Sequence, residues 1–162
     1  MKPFTYKISI IGAGAVGATL AQRLFESGLA DVVLVDILNN IAKGKALDLS
    51  DGAAITLTEK SIIGTDDYGD IQGSDIVVIT AGLPRNPGMT REDLISKNAA
   101  IVKDVSVKIR DHAGDAIVIV VTNPLDAMTY LALKATGFHK SKVMGMAGVL
   151  DGSRFIGLLA DE

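Results

Sequence analysis

Apolar residues follow two alternating patterns along this chain. Short, nearly continuous runs rich in Val, Ile and Leu occur at 8–11, 32–35, 75–80 and 116–122. Between these runs, apolar residues instead recur every three or four positions. Continuous runs are typical of parallel strands that are buried on both faces, and the longer period is typical of amphipathic helices. The pattern therefore predicts an alternation of strands and helices.

Two weaker apolar runs, at 60–65 and 142–146, bring the predicted number of strands to six. Six strands that alternate with helices, without a repeat or a linker, predict an α/β fold with a doubly wound parallel sheet. Because crossovers between parallel strands are right-handed, few arrangements remain, and we expect the strand order 3-2-1-4-5-6. The length predicts a single domain over residues 1–162.

The predicted helices differ in how clearly their ends are marked. Thr90 and Asp93 resemble a capping box at the start of the longest helix, and Gly114 is its expected stop. Residues 83–89 precede this helix and contain two prolines and one glycine, which predicts a loop. The other helical patterns lie at 18–25, 41–49, 125–135 and 149–159.

A glycine-rich turn, GAGAVG at residues 12–17, joins the first predicted strand to the first helix. Gly12 permits the tight turn, Gly14 leaves room for a pyrophosphate, and Gly17 lets the helix pack closely on the strand. The free N–H groups at the start of the helix then face the phosphate charge. The turn predicts a dinucleotide site that includes Ala15 and Val16, although a tight turn without a ligand remains the alternative interpretation.

An acidic residue, Asp36, ends the second predicted strand at the distance expected for this turn. A carboxylate there can accept hydrogen bonds from the ribose hydroxyls of an adenosine, and it would repel a 2′-phosphate. The sequence therefore predicts NAD(H) as the cofactor, in preference to NADP(H).

Composition excludes several other classes of function. The net charge is −3, from 16 basic and 19 acidic residues that are well interspersed, which argues against nucleic acid or an anionic membrane as the partner. The absence of cysteine excludes disulfides, thiolate chemistry and cysteine-based zinc sites, and we expect no metal. No apolar run approaches the roughly 20 residues that span a bilayer, and no signal peptide is recognisable, so a cytoplasmic protein is expected.

Further polar residues follow the later predicted strands. Ligands of such sheets bind at the carboxyl ends of the strands, where Arg85, Arg91, Asn123, Asp151 and Arg154 are expected to converge. Three arginines around one crevice of an acidic protein favour a dianionic ligand, because guanidinium groups pair well with carboxylates. Each arginine alone could equally be a solvated surface charge or part of a salt bridge.

The segments TAGLPRNPGMTREDL, VTNPLD and AGVLDGSR, together with the glycine turn, resemble the lactate/malate dehydrogenase family, and most closely its malate dehydrogenases of the lactate-dehydrogenase-like type. The resemblance runs from Lys7 to Arg154. It implies the NAD-binding Rossmann half of an oxidoreductase that transfers a hydride between NAD and malate or oxaloacetate. It also implies cofactor contacts at Thr80, Ala81, Gly82, Asn98, Val121 and Asn123.

The resemblance also implies individual roles at the substrate. Arg85 would bind the distal carboxylate of a dicarboxylate, whereas a lactate enzyme would carry a neutral residue there. Arg91 would polarise the reacting carbonyl, and Arg154 would hold the carboxylate beside it. Asn123 would bond to the substrate or to the nicotinamide ribose. Asp151 would orient the catalytic histidine.

One departure from the family concerns the general base. The family's histidine lies beyond the LDxxR segment, whereas the two histidines of this sequence, His112 and His139, lie before it and are expected to be structural. We therefore expect no appreciable turnover by the 162 residues alone. Two alternatives stay open: a non-catalytic NAD-sensing or scaffold module, and a small reductase that uses Tyr130 and Lys134.

A homodimer is also expected, because the predicted last helix carries a set of large apolar side chains. The helix at 41–49 is an alternative interface. The apolar set comprises Val149, Leu150, Phe155, Ile156, Leu158 and Leu159.

Overall fold

The computed structural model describes residues 5–84 and 87–160. Within these ranges the chain forms a six-stranded, fully parallel sheet with the order β3-β2-β1-β4-β5-β6, as predicted. The strands are β1 (Tyr6–Ile11), β2 (Ala30–Val35), β3 (Ile62–Thr65), β4 (Ile76–Ile79), β5 (Ile117–Val120) and β6 (Val143–Gly145). The helices are α1 (Ala15–Glu26), α2 (Asn39–Asp51), α3 (Ala53–Thr56), α4 (Arg91–His112), α5 (Leu125–Thr136) and α6 (Gly148–Ala160).

The central strand β1 pairs with β2 on one side and with β4 on the other. Ile8 lies opposite Val32 of β2 and opposite Ile76 of β4. The strand order reverses at this point, since the chain moves outward in one direction through β2 and β3 and in the other through β4, β5 and β6. A crevice at the carboxyl ends of β1 and β4 is where such sheets bind ligands.

Helices cover both faces of the sheet and divide the core into two apolar clusters. On one face, α1 and α2 bury Ala21, Phe25, Ala42 and Ala46 against the sheet. On the other face, α4 and α5 contribute a second set of buried side chains, which are Val102, Val105, Ile109, Met128 and Ala132. Because both faces are covered, the strands are apolar on both sides, which explains their continuous runs of Val and Ile.

The observed elements differ from the predicted ones mainly at strand ends. The run predicted as strand 75–80 is a strand only over Ile76–Ile79, and the run 116–122 only over Ile117–Val120. Short helical turns were not predicted, at α3 and in the two 3₁₀ turns Tyr68–Ile71 and Lys140–Lys142. Elements of three or four residues are too short to show a helical period.

The predicted capping box at the start of α4 is confirmed. Thr90 Oγ1 accepts a hydrogen bond from Asp93 N at 3.1 Å, and Asp93 Oδ2 accepts one from Thr90 N at 3.1 Å. Hydrogen bonds from the side chain and the backbone of Thr90 lower the pKa of Asp93, and Lys97 adds a smaller electrostatic contribution. The carboxylate is thus kept charged at the positive end of the helix dipole.

Helix α6 is unlike the other long helices because none of its residues is buried. No helix within the described ranges is long and apolar enough to cross a membrane.

Candidate functional site

The glycine turn between β1 and α1 is tightly packed against the end of β4. Gly12 adopts φ +106°, and a Cβ there would lie 2.8 Å from Ala81 N. A Cβ at Gly17 would overlap the Gly12 carbonyl oxygen and approach Thr80 Oγ1 to 2.7 Å. Thr80 Oγ1 in turn donates to the carbonyl oxygens of Ile11, at 3.1 Å, and Gly12, at 3.0 Å. Only glycine fits at positions 12 and 17, because protein atoms fill the space around them.

Gly14 is different, because a Cβ built there meets no heavy atom of the residues 5–84 and 87–160 within 4 Å. It precedes the first residue of α1 and caps that helix without a side-chain hydrogen bond. Packing among the described residues therefore does not require a glycine at this position. A glycine that faces open space at a helix N-terminus suits the close approach of a phosphate to the backbone.

Asp36 lies directly after β2, beside this turn. Its Oδ2 accepts a hydrogen bond from Ala13 N at 2.6 Å, and its Oδ1 accepts one from Leu38 N at 2.9 Å. Its own backbone N–H donates to Thr65 O at 3.0 Å. An ionised carboxylate offers about four acceptor positions, so two remain for ribose hydroxyls. The side chain is held from two directions and is partly open to solvent.

Two adjoining cavities form a groove along the carboxyl edge of the sheet. The first has a volume of about 320 Å³ and extends from the glycine turn past Asp36 to Tyr68 and Asp104. The second has a volume of about 660 Å³ and extends from the glycine turn to Asn123. They share Gly14, Thr80, Gly82 and Leu83. An extended ligand would fit this arrangement if its charged middle part lay at the glycine turn and one of its ends lay in each cavity.

The predicted cofactor positions in and after the glycine turn lie along the same groove. Gly14, Ala15, Val16, Gly17, Thr80, Gly82, Asn98, Val121 and Asn123 all line the second cavity, and Ala81 lines the first. The groove is therefore built from the ends of β1, β2, β4 and β5 and the start of α1.

Asn98 has a structural role at the base of the groove. It is only 2% exposed, and its amide Nδ2 donates to Asn123 O at 2.7 Å. Its Oδ1 accepts from Leu83 N at 2.8 Å, so the side chain links the segment after β4 to the end of β5. Thr122 reinforces the link because its Oγ1 donates to Ala81 O at 2.7 Å. The peptide bond between Asn123 and Pro124 is cis.

Two residues that border the site were missed by the sequence analysis. Tyr68 lines the first cavity, and burial, followed by the charges of Asp104 and Asp36, raises its pKa well above the usual range. Lys108 Nζ lies 4.9 Å from the centre of the Tyr68 ring and 2.8 Å from Asp104 Oδ2. The rule that residues after strand ends form the site would have found Tyr68, which follows β3. The second missed residue is Lys45 on α2, which borders the site through a hydrogen bond from its Nζ to Ala13 O of the glycine turn. No spacing or strand end along the sequence indicates this contact.

The residues predicted to contact substrate are less closely assembled. Arg85 lies outside the described residues. Arg91 is exposed at the first position of α4, and Asn123 is exposed after β5. Asp151 and Arg154 form an exposed ion pair on α6, with 3.3 Å between Asp151 Oδ1 and Arg154 Nη1. Within the described part of the chain, no hydrogen bond or ion pair joins Arg91 to this pair.

The other candidate catalytic groups lie away from the groove. His112 ends α4 and His139 begins the 3₁₀ turn before β6, so both lie at the amino edge of the sheet. His139 Nδ1 lies 2.8 Å from Ser141 Oγ. Tyr130 and Lys134 are exposed on α5, where Lys134 Nζ lies 5.4 Å from the centre of the Tyr130 ring. Neither of these two lines the groove. In the described ranges no group of His, Asp and Glu is arranged to hold a metal ion.

Comparison with known proteins identifies the family of this chain. The family model described as lactate/malate dehydrogenase, NAD binding domain, matches residues 6–145. A malate dehydrogenase of Methanosarcina barkeri is 56% identical over 156 residues, which are 96% of this chain and 51% of the relative.

Solved structures agree with this result. A malate dehydrogenase of Cryptosporidium parvum matches with a TM-score of 0.93 and 45% identity, over 98% of this chain and 50% of that one. One from Archaeoglobus fulgidus in complex with NADH matches with a TM-score of 0.92 and 43% identity, over 96% and 53%. The chain thus spans about half the length of these relatives. It belongs to the lactate/malate dehydrogenase family, and its residues 6–145 match that family's NAD-binding domain.

Proposed function

We propose that this chain is the cofactor half of an NAD-dependent malate dehydrogenase, forming a single domain over residues 1–162, and that it prefers NAD(H) to NADP(H). The observation that carries the proposal is the pairing of Gly14, which faces open space at a helix N-terminus, with the partly open carboxylate of Asp36. The first suits a pyrophosphate and the second suits an unphosphorylated ribose. Both lie along one groove.

In the proposed arrangement, the bound NAD would accept or supply the hydride. The chain's own residues hold the cofactor in position along the groove. The α1 N-terminus would face the pyrophosphate, Asp36 would bind the adenosine ribose, and Asn123 would lie near the nicotinamide ribose or the substrate. The open space beside Gly14 supports this assignment, because Gly14 lines both cavities of the groove.

Calorimetry on the purified chain tests the cofactor assignment. We expect NAD⁺ and NADH to bind and NADP⁺ to bind more weakly, because the 2′-phosphate would lie against the Asp36 carboxylate. Equal affinities for NAD⁺ and NADP⁺, or no binding of either, would contradict the proposal.

We further propose that the substrate is a dicarboxylate of the malate and oxaloacetate type. Arg85, Arg91 and Arg154 supply the guanidinium groups that such a dianion needs, and Asp151 would orient the family's histidine. Joining this chain to the second half of the Methanosarcina barkeri enzyme provides a test. In that chimaera Arg85→Gln should lower oxaloacetate reduction strongly, whereas Arg23→Gln, in the last turn of α1, should not. Equal activity of the chimaera and its Arg85→Gln variant would exclude this role for Arg85.

The 162 residues alone should show little or no malate oxidation. Both histidines lie at the amino edge of the sheet, far from the groove, and general acid–base assistance contributes about 10²–10⁴-fold to such rates. Coupled assays with malate and NAD⁺ measure this. A Gly14→Asp variant is the control for contaminating enzyme, because its added carboxylate should repel the pyrophosphate of the cofactor. Robust turnover that disappears in Gly14→Asp would overturn the proposal.

Self-association through α6 is a separate proposal. Its large apolar side chains are exposed, including Val149 at 75% and Phe155 at 62%. Apolar patches of more than a few hundred Å² are uncommon on monomers and usually mark contacts. Light scattering over a range of concentrations should show a dimer that Phe155→Ser together with Ile156→Ser weakens. A strict monomer at all concentrations would refute the proposal.

A further inference from the structure

Lys45 makes an unusual contact with the glycine turn. It lies on α2, and its Nζ donates a hydrogen bond to Ala13 O at 2.6 Å. Its neighbours on the helix, Ala42 and Ala46, are buried against the sheet, so the Lys45 stem lies on the same side of α2. Within the described ranges Lys45 has no carboxylate partner at ion-pair distance. Among the described residues, the partly buried ammonium group of Lys45 thus donates to one acceptor, the carbonyl oxygen of Ala13.

The packing of α2 holds Lys45 within reach of the turn. Gly64 of β3 lies so close to α2 that a Cβ there would overlap the Ala42 carbonyl. The helix can therefore approach the sheet more closely than any larger residue would allow. The long apolar stem of a lysine can lie along such an interface while its charged end reaches a polar group beyond it.

The bond to Ala13 O fixes the direction of the next N–H group. In a trans peptide the C=O and the N–H point in opposite directions, so a carbonyl that points toward Lys45 turns Gly14 N–H the other way. Gly14 N donates to no acceptor in the described part of the chain, and the space beside Gly14 is open. The preceding peptide is also fixed, because Ala13 N donates to Asp36 Oδ2.

We infer that Lys45 is a positioning residue for the cofactor, which holds the Ala13–Gly14 peptide with its N–H directed toward the pyrophosphate. This inference rests on the proposed binding of NAD(H). Lys45 itself lines neither cavity of the groove, so it acts through the peptide and not by direct contact. Without the hydrogen bond from Lys45, the Ala13–Gly14 peptide can rotate and turn the Ala13 carbonyl oxygen toward the phosphates. The partial negative charge of that oxygen would then repel the charged phosphate groups.

The inference is tested by comparing ligands with and without a pyrophosphate. Lys45→Met keeps the apolar stem and removes the donor. It should weaken the binding of NAD⁺ and ADP by about tenfold or more, the usual scale for losing a hydrogen bond to a charged group. The weak binding of adenosine should stay unchanged. Lys45→Arg should restore part of the affinity. Lys43→Met is the matched control, because Lys43 is exposed on the same helix.

A second measurement follows the peptide itself without any ligand. The residual dipolar coupling of Gly14 N–H reports the direction of that bond, and it should change in Lys45→Met but not in Lys43→Met. An unchanged Gly14 coupling would overturn the inference whether or not the unmodified chain binds NAD⁺. Failure of the unmodified chain to bind NAD⁺ would instead overturn the proposed function. Equal weakening of adenosine and ADP would show that Lys45 supports the whole site, and it would also overturn the inference.

Discussion

The glycine turn and helix α6 both carry residues of the proposed site, but they differ in how many of their groups have partners among the described residues. Around the turn, Asp36, Lys45 and Thr80 each bond to a backbone atom of the turn, and two of the turn's glycines contact other backbone atoms. Helix α6 has no buried residue, and its Asp151–Arg154 pair is exposed. The glycine turn is thus held by contacts with other described residues, whereas the side chains of α6 are exposed.

The difference shows which functional groups a domain can position unaided. A group fixed by several short contacts keeps its geometry when a ligand is absent, which is the condition for preorganised binding. An exposed ion pair on a helix without tertiary packing contributes little to stability and does not fix a geometry. Substitutions in the core strand β2, at Asp36, in α6 and at the start of α4 test how far this difference extends.

The largest difference is expected in stability. Leu34 in β2 is 0% exposed, and Leu34→Ala should lower the free energy of unfolding by about 2–5 kcal/mol, because it leaves a cavity in the core. Leu158 in α6 is 69% exposed, and Leu158→Ala should change it by no more than about 0.5 kcal/mol. Urea denaturation followed by circular dichroism measures both. Similar losses for the two variants would show that α6 packs on the domain.

A smaller difference is expected in cofactor affinity. Asp36→Ser should weaken the binding of NAD⁺ by about 1.5–3 kcal/mol, because hydrogen bonds to a charged group are lost. It should also reduce the difference in affinity between NAD⁺ and NADP⁺. Asp151→Asn on α6 should leave both affinities unchanged. Calorimetry on the two variants decides this, and an equal loss of NAD⁺ affinity in both would remove the distinction between the regions.

The smallest effect concerns the start of α4, the helix that carries Asn98. Thr90→Ala removes the capping hydrogen bond and should cost about 1 kcal/mol of stability. Ser96→Ala, at an exposed position of the same helix, should change stability by less than about 0.5 kcal/mol. Equal effects of the two substitutions in urea denaturation would mean that the cap is not formed.

The carboxylate of the same cap predicts a pH dependence. Because its pKa is lowered in the folded chain, Asp93 stabilises the fold above its ordinary pKa of 3.8, and this contribution disappears as the pH falls through the folded value. The difference in stability between the unmodified chain and Asp93→Asn should therefore be full near neutral pH and decline below about pH 4. A difference that stays constant down to strongly acidic pH would contradict the assignment.

The sequence by itself determined the strand order, the glycine turn, the acid after β2 and the α4 cap. Each depends on the periodic burial of neighbouring residues or on a fixed spacing along the chain. It can therefore be predicted before the tertiary contacts are known. Gly17 illustrates this, because a Cβ there would overlap the carbonyl oxygen of Gly12 in the same turn, and the dinucleotide-binding pattern requires a glycine at this spacing for close packing of helix and strand.

Only the tertiary structure decided which distant residues meet at the site. Lys45 reaches Ala13 because α2 packs closely on β3. Tyr68 and Asp36 line the same cavity because β3 lies beside β2. Asn98 links Leu83 to Asn123 because α4 passes the ends of β4 and β5. These contacts depend on side-chain lengths and on the distances between packed elements. Such distances are set by the whole core together, and no local pattern along the chain encodes them.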